Sequence, residues 1–295
     1  MKIGIIGGGK WGQALAFALS QKCKVYITSR SKKELKNFLP LRDILEFEYL
    51  VFALPAQITD EWLKNNFSFK NQKVLVASKG IDAKTGRFLN EIYEEYLPKG
   101  NLSYLSGPSF AAEVLKSLPT ALVVNSTNLE LARSFSSFFP DFIKTYISDD
   151  IIGAETAGAY KNVIAIASGI CDGLGLGNNA RASLLARGLV EMERFGKYFG
   201  AKEETFLGLS GAGDLFLTAS STLSRNYRVG LGLALGKKID EILEELGEVA
   251  EGVYTAAAIE KIARQKDIYI PIASEVKKVL DGKDPRKSLE DLLKS

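Results

Sequence analysis

A chain of 295 residues, 46% of them hydrophobic, is long enough for about two globular domains and apolar enough to bury a substantial core. The 38 basic and 35 acidic residues leave a net charge of only +3, which argues against nucleic acid or an anionic membrane as the main partner. The sequence has no histidine, so the commonest metal ligand and the usual acid–base residue are excluded. Proton transfer must fall to Lys, Glu, Asp, Tyr or Cys.

The cysteines and the amino-terminal stretch bear on the cellular compartment. Cys23 and Cys171 lie far apart and form no metal-binding spacing, which favours free thiols in a reducing cytosol. The first residues lack the long apolar run and the cleavage site of a signal peptide. Since no run of about 18 apolar residues occurs either, we expect a cytoplasmic protein without membrane insertion.

The first half of the chain alternates short β-rich runs with helical patterns. The runs lack strict alternation of apolar and polar residues, which is typical of parallel strands buried on both faces. We predict a Rossmann-type, doubly wound parallel α/β sheet that forms a dinucleotide-binding domain over residues 1–150. The predicted strands cover residues 2–6, 24–28, 49–53, 73–77, 102–105, 121–125 and 144–147, with helices between them, for example over 12–21 and 90–96.

After about residue 150 the predicted strands stop. Apolar residues recur with helical spacing over 154–168, 179–199, 227–235, 239–246, 254–265 and 272–280. We predict an all-helical domain for substrate binding and catalysis over residues 151–295. No hydrophilic linker separates the two halves, so we expect them to pack closely around a cleft.

A glycine-rich turn follows the first predicted strand. Gly7, Gly9 and Gly12 form a G-x-G-x-x-G pattern that includes Lys10 and Trp11 and opens into a helix. The glycines permit a tight turn and let the backbone approach a pyrophosphate, while the helix N-terminus supplies N–H groups and partial positive charge. The strand–turn–helix context predicts a dinucleotide site at this turn.

The end of the second predicted strand bears on the choice of dinucleotide. An NAD site usually has an acidic residue near this point to hold the ribose 2′-hydroxyl, and none occurs before Glu34. Ser29, Arg30 and Ser31 suit a 2′-phosphate instead. We predict NADP as the preferred cofactor and NAD as the alternative. A solvated turn with incidental charge is the other interpretation of Arg30.

Two predicted strand ends carry polar residues at the edge of the sheet where ligands bind. Lys79 follows the fourth predicted strand and is positioned to meet cofactor or substrate. Gly107 and Ser109 follow the fifth predicted strand. Gly107 lets a ligand come close to the backbone, and Ser109 supplies a hydroxyl. An exposed lysine and an ordinary turn are the simpler explanations of these features.

A lysine stands out on the first predicted helix of the second half. Lys161 shares one helical face with the small residues Ala154, Ala157, Gly158, Ala165 and Ser168. Small residues let another backbone or a cofactor ring come close, and the resulting desolvation would lower the pKa of Lys161 towards useful acid–base values. A lysine that snorkels over a tight helix contact would show the same pattern.

A polar region lies further along the predicted helical domain. Asp214 follows a glycine-rich run, and Ser224, Arg225 and Asn226 come about ten residues later. Arginine suits an anionic phosphate, because its planar fork donates two charge-assisted hydrogen bonds. Taken singly, each of these residues is explained equally well as ordinary loop chemistry.

Together and in this order, the segments resemble the bacterial NAD(P)-dependent glycerol-3-phosphate dehydrogenase family. The resemblance extends over nearly the whole chain. The residues that carry it are 7–12, 78–80, 105–111, 161–165, 179–181, 211–214, 224–226 and 251–252.

The resemblance implies an oxidoreductase that interconverts dihydroxyacetone phosphate and sn-glycerol 3-phosphate with NAD(P)H and supplies glycerol 3-phosphate for phospholipid synthesis. It implies that Lys161 transfers the proton. The implied substrate contacts are Lys79, Gly107, Ser109, Asp214, Ser224, Arg225 and Asn226. The implied cofactor contacts, beside the glycine-rich turn, are Lys10, Trp11, Arg30, Lys79, Ala111, Arg225, Val249 and Glu251.

Two other functions are weighed against this one. A 3-hydroxyacid dehydrogenase of similar two-domain build would take a carboxylate, whereas the glycine–aspartate run followed by Ser-Arg-Asn favours a phosphate. A non-catalytic nicotinamide-binding sensor predicts loss of the lysine or its partners, which are all present. We therefore expect a small phosphorylated substrate, no nucleic acid and no metal, and we leave a homodimer open.

Overall fold

The computed structural model describes residues 1–30 and 35–294 and divides them into two compact units. Unit 1 comprises Met1–Lys79 and Leu89–Ile151, and unit 2 comprises Gly80–Phe88 and Ile152–Ser295. The short segment Gly80–Phe88 belongs to unit 2 because Ile81 and Phe88, paired through an antiparallel bridge, pack into the core of that unit. The functional roles of the two parts of the chain stay a prediction.

Unit 1 is built on a seven-stranded sheet in the order β2-β1-β3-β4-β5-β6-β7. Its strands are β1 (Lys2–Ile6), β2 (Lys24–Thr28), β3 (Tyr49–Phe52), β4 (Lys73–Val76), β5 (Leu102–Ser106), β6 (Thr120–Asn125) and β7 (Ile143–Ser148). The predicted strands therefore all form, with bounds that differ by at most about one residue at each end.

The sheet is parallel from β2 to β5, and β6 then runs antiparallel to β5 while β7 runs parallel to β6. The predicted parallel pairing is therefore found from β2 to β5, and the reversal at β6 was not predicted. The connection from β5 to β6 contains only the four-residue helix Ala111–Val114. A parallel crossover needs an element, usually a helix, that is long enough to return the chain to the other end of the strands. A helix of four residues spans only about 6 Å, so β6 starts near the end of β5 and runs antiparallel to it.

Among the described residues of unit 1, six α-helices accompany the sheet, and apolar side chains bury both of its faces. Along β3, Val51 belongs to one apolar cluster, whereas Leu50 and Phe52 belong to another, because successive side chains of a strand point to opposite faces. This double burial is why the strands lack strict alternation of apolar and polar residues. The helices are α1 (Lys10–Leu19), α2 (Leu41–Ile44), α3 (Thr59–Asn66), α4 (Leu89–Tyr93), α5 (Ala111–Val114) and α6 (Leu129–Ser137).

Unit 2 is helical apart from the bridge between Ile81 and Phe88. Its helices are α7 (Ile151–Gly173), α8 (Gly177–Tyr198), α9 (Glu203–Leu207), α10 (Asp214–Ala219), α11 (Arg225–Ala234), α12 (Ile239–Leu246), α13 (Glu251–Lys266), α14 (Pro271–Leu280) and α15 (Pro285–Lys294). The six predicted helices of this half are confirmed, while α9, α10 and α15 were not predicted. Helix α7 is buried along almost its whole length and forms the centre of unit 2.

No helix within residues 1–30 and 35–294 is both long enough and apolar enough to cross a membrane.

A buried carboxylate links three helices of unit 2. Glu191 of α8 is only 2% exposed and accepts hydrogen bonds from the backbone N–H groups of Ile272 and Ala273, both at 2.8 Å. It also accepts one from the Tyr160 hydroxyl of α7 at 2.8 Å. Burial raises the pKa of the Glu191 carboxyl, and the two backbone bonds act in the opposite direction. Glu191 thus caps the N-terminus of α14 from a neighbouring helix.

We predict that Glu191→Gln destabilises the protein by about 1–3 kcal/mol, because an amide nitrogen cannot accept and one buried donor loses its partner. Glu193→Gln on the same helix is the matched control. It removes a more exposed ion pair with Lys197 (2.6 Å) and should cost less than about 1 kcal/mol. Urea unfolding of both variants measures the difference, and equal midpoints would contradict the capping role.

Candidate active site

The carboxyl ends of β1 and β3 meet at the point where the strand order of the sheet reverses. From β1 the chain continues to β2 on one side, whereas β3 lies on the other side. In open α/β sheets, ligands bind outside the carboxyl ends of the strands at such a switch point. The glycine-rich turn lies here, since the N–H of Gly7 donates to the Thr28 carbonyl of β2 at 3.1 Å.

Two glycines of the turn are required by close backbone packing. Gly7 has φ +121°, and an added Cβ would lie 2.3 Å from the Ala53 carbonyl oxygen. At Gly12 a Cβ would lie 1.9 Å from the Gly7 carbonyl oxygen. The turn, the start of α1 and the end of β3 therefore pack against each other at backbone distance, and no side chain fits between them.

Gly9 differs from these two glycines. Its backbone is extended (φ −70°, ψ 176°), a conformation open to any residue, and an added Cβ would meet nothing within 4 Å. It is the N-cap residue of α1 and provides no side-chain hydrogen bond to the first helical turn. Open space next to a helix N-terminus is the arrangement that a pyrophosphate group requires, so these residues fit a dinucleotide.

The remaining predicted cofactor residues of unit 1 lie around this turn. The indole N–H of Trp11 donates to the Ala77 carbonyl at 3.0 Å and ties α1 to the end of β4. Lys10 is exposed, and Ala111 is the first residue of α5, which packs beside α1. Arg30 is exposed at the carboxyl end of β2, next to Ser29. Of the other residues considered at this point, Ser31 and Glu34 lie outside the described residues.

The structure brings together the predicted substrate contacts of unit 1. The Lys79 ammonium donates to the Gly107 carbonyl at 3.1 Å, and the Ser109 hydroxyl donates to the same oxygen at 3.4 Å. Gly107 has φ +102°, and an added Cβ would lie 3.2 Å from the Ala121 carbonyl, so a glycine is needed there. The three residues form one cluster because they follow the neighbouring parallel strands β4 and β5.

Lys161 is the centre of the candidate site in unit 2. Its Nζ donates to Asp214 Oδ1 at 2.5 Å and to the Thr218 hydroxyl at 2.9 Å. Lys161 is 7% exposed and Asp214 only 1%. The lysine is therefore buried in an ion pair. The alternative interpretation of its sequence pattern, a lysine that snorkels to the surface, is wrong.

Two opposing effects act on this ammonium group. Burial disfavours its charged form, whereas the carboxylate of Asp214 favours it. A buried amine that is held by a carboxylate and a hydroxyl can give up or accept a proton in a fixed position, which is the requirement for acid–base catalysis.

The N-terminal turn of α11 carries three predicted substrate contacts, and the structure gives each a partner within the protein. The Ser224 hydroxyl caps α11 by accepting from the Tyr227 N–H at 3.3 Å. The Asn226 amide donates to Asn162 Oδ1 at 2.9 Å and accepts from the Gly252 N–H at 2.9 Å. Ser224 thus caps its own helix, whereas Asn226 joins α11 to α7 and α13, and neither role was predicted from the sequence.

Arg225 lies on the same turn and is more accessible. Its side chain is 43% exposed and contacts Glu248 at 3.4 Å. The predicted cofactor contacts Val249 and Glu251 come shortly after Glu248, Val249 being exposed and Glu251 being the first residue of α13. An exposed, weakly paired guanidinium can turn to an anionic ligand at low cost.

Thr218 and Asn162 are polar residues of the site that were not predicted from the sequence. Thr218 lies four residues after Asp214 on α10, a spacing that places both on one helical face. The glycines before Asp214 concealed this helix. Asn162 directly follows Lys161, and consecutive helical residues point in different directions, so the small-residue face gave no reason to choose it.

A metal centre is absent from the part of the chain that the structure describes. Residues 1–30 and 35–294 contain no group of three Cys, Asp or Glu side chains that could hold an ion.

Two family models and two curated relatives that match this chain carry the same description. The family model described as NAD-dependent glycerol-3-phosphate dehydrogenase N-terminus matches residues 41–132, and that of the C-terminus matches residues 150–290. A glycerol-3-phosphate dehydrogenase (NAD(P)+) of Sulfurimonas denitrificans is 65% identical over 292 residues, 99% of each chain. One from Campylobacter jejuni is 60% identical over 294 residues, 100% of this chain and 99% of that one.

A solved structure gives the same result. The crystal structure of glycerol-3-phosphate dehydrogenase from Coxiella burnetii matches with a TM-score of 0.93 at 32% identity. The match covers 100% of this chain and 99% of that chain.

The different surroundings of Gly9 and Gly12 predict different effects of the same substitution. Gly12→Ala forces a Cβ against the Gly7 carbonyl and should destabilise the protein by about 1–3 kcal/mol or more. Gly9→Ala should leave the Tm within about 2 °C but weaken NADPH binding about tenfold or more, because the methyl group occupies the space for the pyrophosphate. Thermal unfolding and NADPH fluorescence titration test both, and a Gly9→Ala protein with wild-type NADPH affinity would contradict the assignment.

Proposed function

Because the chain belongs to the NAD-dependent glycerol-3-phosphate dehydrogenase family, we propose that it interconverts dihydroxyacetone phosphate and sn-glycerol 3-phosphate with NAD(P)H. The observation that carries the proposal is the buried contact of Lys161 with Asp214 and Thr218. In a chain without histidine, this pair provides a positioned proton-transfer group. The product glycerol 3-phosphate would serve phospholipid synthesis.

The cofactor site of the proposal is the glycine-rich turn at the end of β1. When bound, NAD(P)H supplies the hydride for C2 of the substrate. Gly7 and Gly12 keep the turn compact, Gly9 leaves room for the pyrophosphate, and the start of α1 contributes N–H groups and partial positive charge. The other cofactor contacts of the proposal are Lys10, Trp11, Arg30, Lys79, Ala111, Arg225, Val249 and Glu251.

NADP is the preferred cofactor in this proposal. Arg30 is exposed at the carboxyl end of β2, where the adenosine ribose lies in Rossmann-type sites. Its guanidinium suits a 2′-phosphate, and the two residues before it, Thr28 and Ser29, carry no charge that would oppose one. NAD is accepted as the weaker alternative.

Lys161 moves the proton. During reduction its ammonium donates a proton to the substrate oxygen on which negative charge develops as C2 accepts the hydride. During oxidation its neutral amine accepts the hydroxyl proton, and the carboxylate of Asp214, 2.5 Å away, stabilises the ammonium that forms. Thr218 holds the same nitrogen from a second direction, so Nζ keeps its position through the reaction.

The phosphate of the substrate is assigned to the N-terminal turn of α11. This turn combines the accessible guanidinium of Arg225 with the N–H groups of a helix start. Ser224 and Asn226 shape the turn, and Lys79, Gly107 and Ser109 form the substrate contacts proposed for unit 1. Binding energy from the phosphate orients the carbonyl for the transfer.

Location and assembly complete the proposal. We place the enzyme in the cytoplasm, because Cys23 and Cys171 are free thiols, as expected in a reducing compartment. A homodimer is the proposed assembly. Exposed apolar side chains of unit 2, among them Leu207, Phe216 and Leu223, offer surface that a second copy would cover.

Two substitutions of Lys161 separate its chemical from its structural role. Lys161→Arg keeps a charge beside Asp214 but provides a group that does not deprotonate, so kcat should fall about 10²–10⁴-fold with a modest loss of stability. Lys161→Met should lower kcat as much and also destabilise the protein by about 3–5 kcal/mol, since the buried carboxylate of Asp214 loses its cationic partner.

The measurements are initial rates of NADPH oxidation with dihydroxyacetone phosphate and thermal unfolding of both variants. If folded Lys161→Arg keeps more than about a tenth of the wild-type kcat, Lys161 is not the proton-transfer residue.

Arg225→Ala should lower kcat/KM for dihydroxyacetone phosphate about 10–100-fold, because the phosphate loses a charge-assisted partner. At saturating NADPH, the rate with unphosphorylated dihydroxyacetone should change little, although Arg225 is also a proposed cofactor contact. Arg228→Ala is the matched control, since Arg228 is an exposed arginine one turn further along α11. Equal effects of Arg225→Ala on both substrates would show that Arg225 does not bind the phosphate.

A further inference from the structure

One face of α7 carries three polar residues that dock neighbouring segments of unit 2. Ser168 and Asp172 lie seven and eleven residues beyond Lys161, close to whole numbers of helical turns at 3.6 residues per turn. Lys161 holds the start of α10 through Asp214. The Ser168 hydroxyl donates to the carbonyl of Ala219, at the end of α10, at 2.7 Å.

Asp172 holds the start of α11 in the same way. Its Oδ2 accepts from the Tyr227 hydroxyl at 2.5 Å and from the Arg181 guanidinium of α8 at 2.9 Å. Tyr227 is 8% exposed. Burial, followed by the hydrogen bond to Asp172, raises the pKa of Tyr227 to about 12, so the phenol stays a donor at neutral pH. Arg181 lies on the 179–181 segment, for which the proposed function gives no role.

Tyr227 belongs to the turn that presents Arg225 and Asn226. The backbone of this turn touches α7 directly, since a Cβ on Gly169 would lie 2.1 Å from the Tyr227 carbonyl oxygen. Side chains attach the turn at two further points of α7, Asn226 at Asn162 and Tyr227 at Asp172. These two points are about 15 Å apart along the helix, since each residue adds 1.5 Å. Because the first turn of α11 is attached to α7 at both of these points, it cannot rotate about the backbone contact at Gly169.

We propose that Asp172 is a positioning residue for the substrate phosphate. Its carboxylate, oriented by Arg181, fixes Tyr227 and so sets the direction in which the first turn of α11 presents Arg225 relative to Lys161. The proposal rests on the proposed function, because it takes Arg225 as the phosphate ligand. It extends that function by making the pair of Asp172 and Tyr227 responsible for holding the phosphate at a fixed distance from the proton-transfer residue.

The test is Tyr227→Phe, which removes one hydroxyl and leaves the ring and the contact between Asp172 and Arg181 in place. KM for dihydroxyacetone phosphate should rise about five- to twentyfold, because the turn that presents Arg225 loses one of its two side-chain attachments to α7 and the guanidinium is less well positioned. The kcat and the KM for NADPH should stay within about threefold, because neither the proton-transfer residue nor the glycine-rich turn is altered. Tyr198→Phe, at an exposed tyrosine of α8, is the matched control and should change none of these values.

A double-mutant cycle distinguishes positioning from general loosening of the fold. If Tyr227 acts through Arg225, adding Tyr227→Phe to Arg225→Ala should change kcat/KM by less than about twofold, whereas a merely structural effect would multiply in full. Arg181→Gln is the second variant in case Tyr227→Phe unfolds. It removes the other partner of Asp172 at a partly exposed site and should raise KM for dihydroxyacetone phosphate about two- to fivefold.

The outcomes are separable. If Arg225→Ala alone leaves kcat/KM unchanged, the phosphate site of the proposed function is wrong, and the positioning role falls with it. If Arg225→Ala lowers kcat/KM but folded Tyr227→Phe and Arg181→Gln keep the wild-type KM, only the role of Asp172 is overturned. The role of Asp172 is also overturned if the effects of Tyr227→Phe and Arg225→Ala on kcat/KM multiply in full in the double mutant.

Discussion

The buried ion pair between Lys161 and Asp214 sets the strictest condition on unit 2. Two charges removed from water cost several kcal/mol each, and a nearby partner offsets this cost only when the geometry is good and further hydrogen bonds are present. Asp214 Oδ1 at 2.5 Å and Thr218 at 2.9 Å meet that condition. The start of α10 must therefore lie close to α7, and other contacts in unit 2 maintain that distance.

Small residues of α7 make the close approach possible. Gly169 of α7 and Gly230 of α11 face each other so closely that a Cβ on either would lie 2.1 Å from a backbone oxygen of the other helix. Near this contact, the polar residues Ser168 and Asp172 attach the end of α10 and the start of α11. Backbone contact sets the spacing of the helices, and polar side chains select one orientation at that spacing, so Lys161 and the first turn of α11 are held by the same helix.

In unit 1, backbone packing fixes the glycine-rich turn without charged side chains. Its glycine-rich turn packs against Ala53 at backbone distance through Gly7, and Gly12 packs on Gly7. Packing does not require a glycine at position 9, because no protein atom would contact a Cβ on Gly9. Comparison of the three positions thus separates the glycines that backbone packing requires, Gly7 and Gly12, from Gly9, which packing does not require.

Local features of the sequence were enough to predict the strands, the glycine-rich turn and the face of α7 that carries Lys161. Each of these depends on residues within one or two turns or one strand, so periodicity and glycine spacing reveal it. The partners of Lys161 depend on the packing of α7 against α10, since Asp214 and Thr218 lie 53 and 57 residues further along the chain. The reversal at β6, the use of Asn226 to join α11 to α7 and α13, and the contact of Tyr227 with Asp172 were likewise decided by tertiary structure. Pairing between distant residues follows from how helices cross and from the direction in which neighbouring strands run, and the periodicity of a single segment specifies neither.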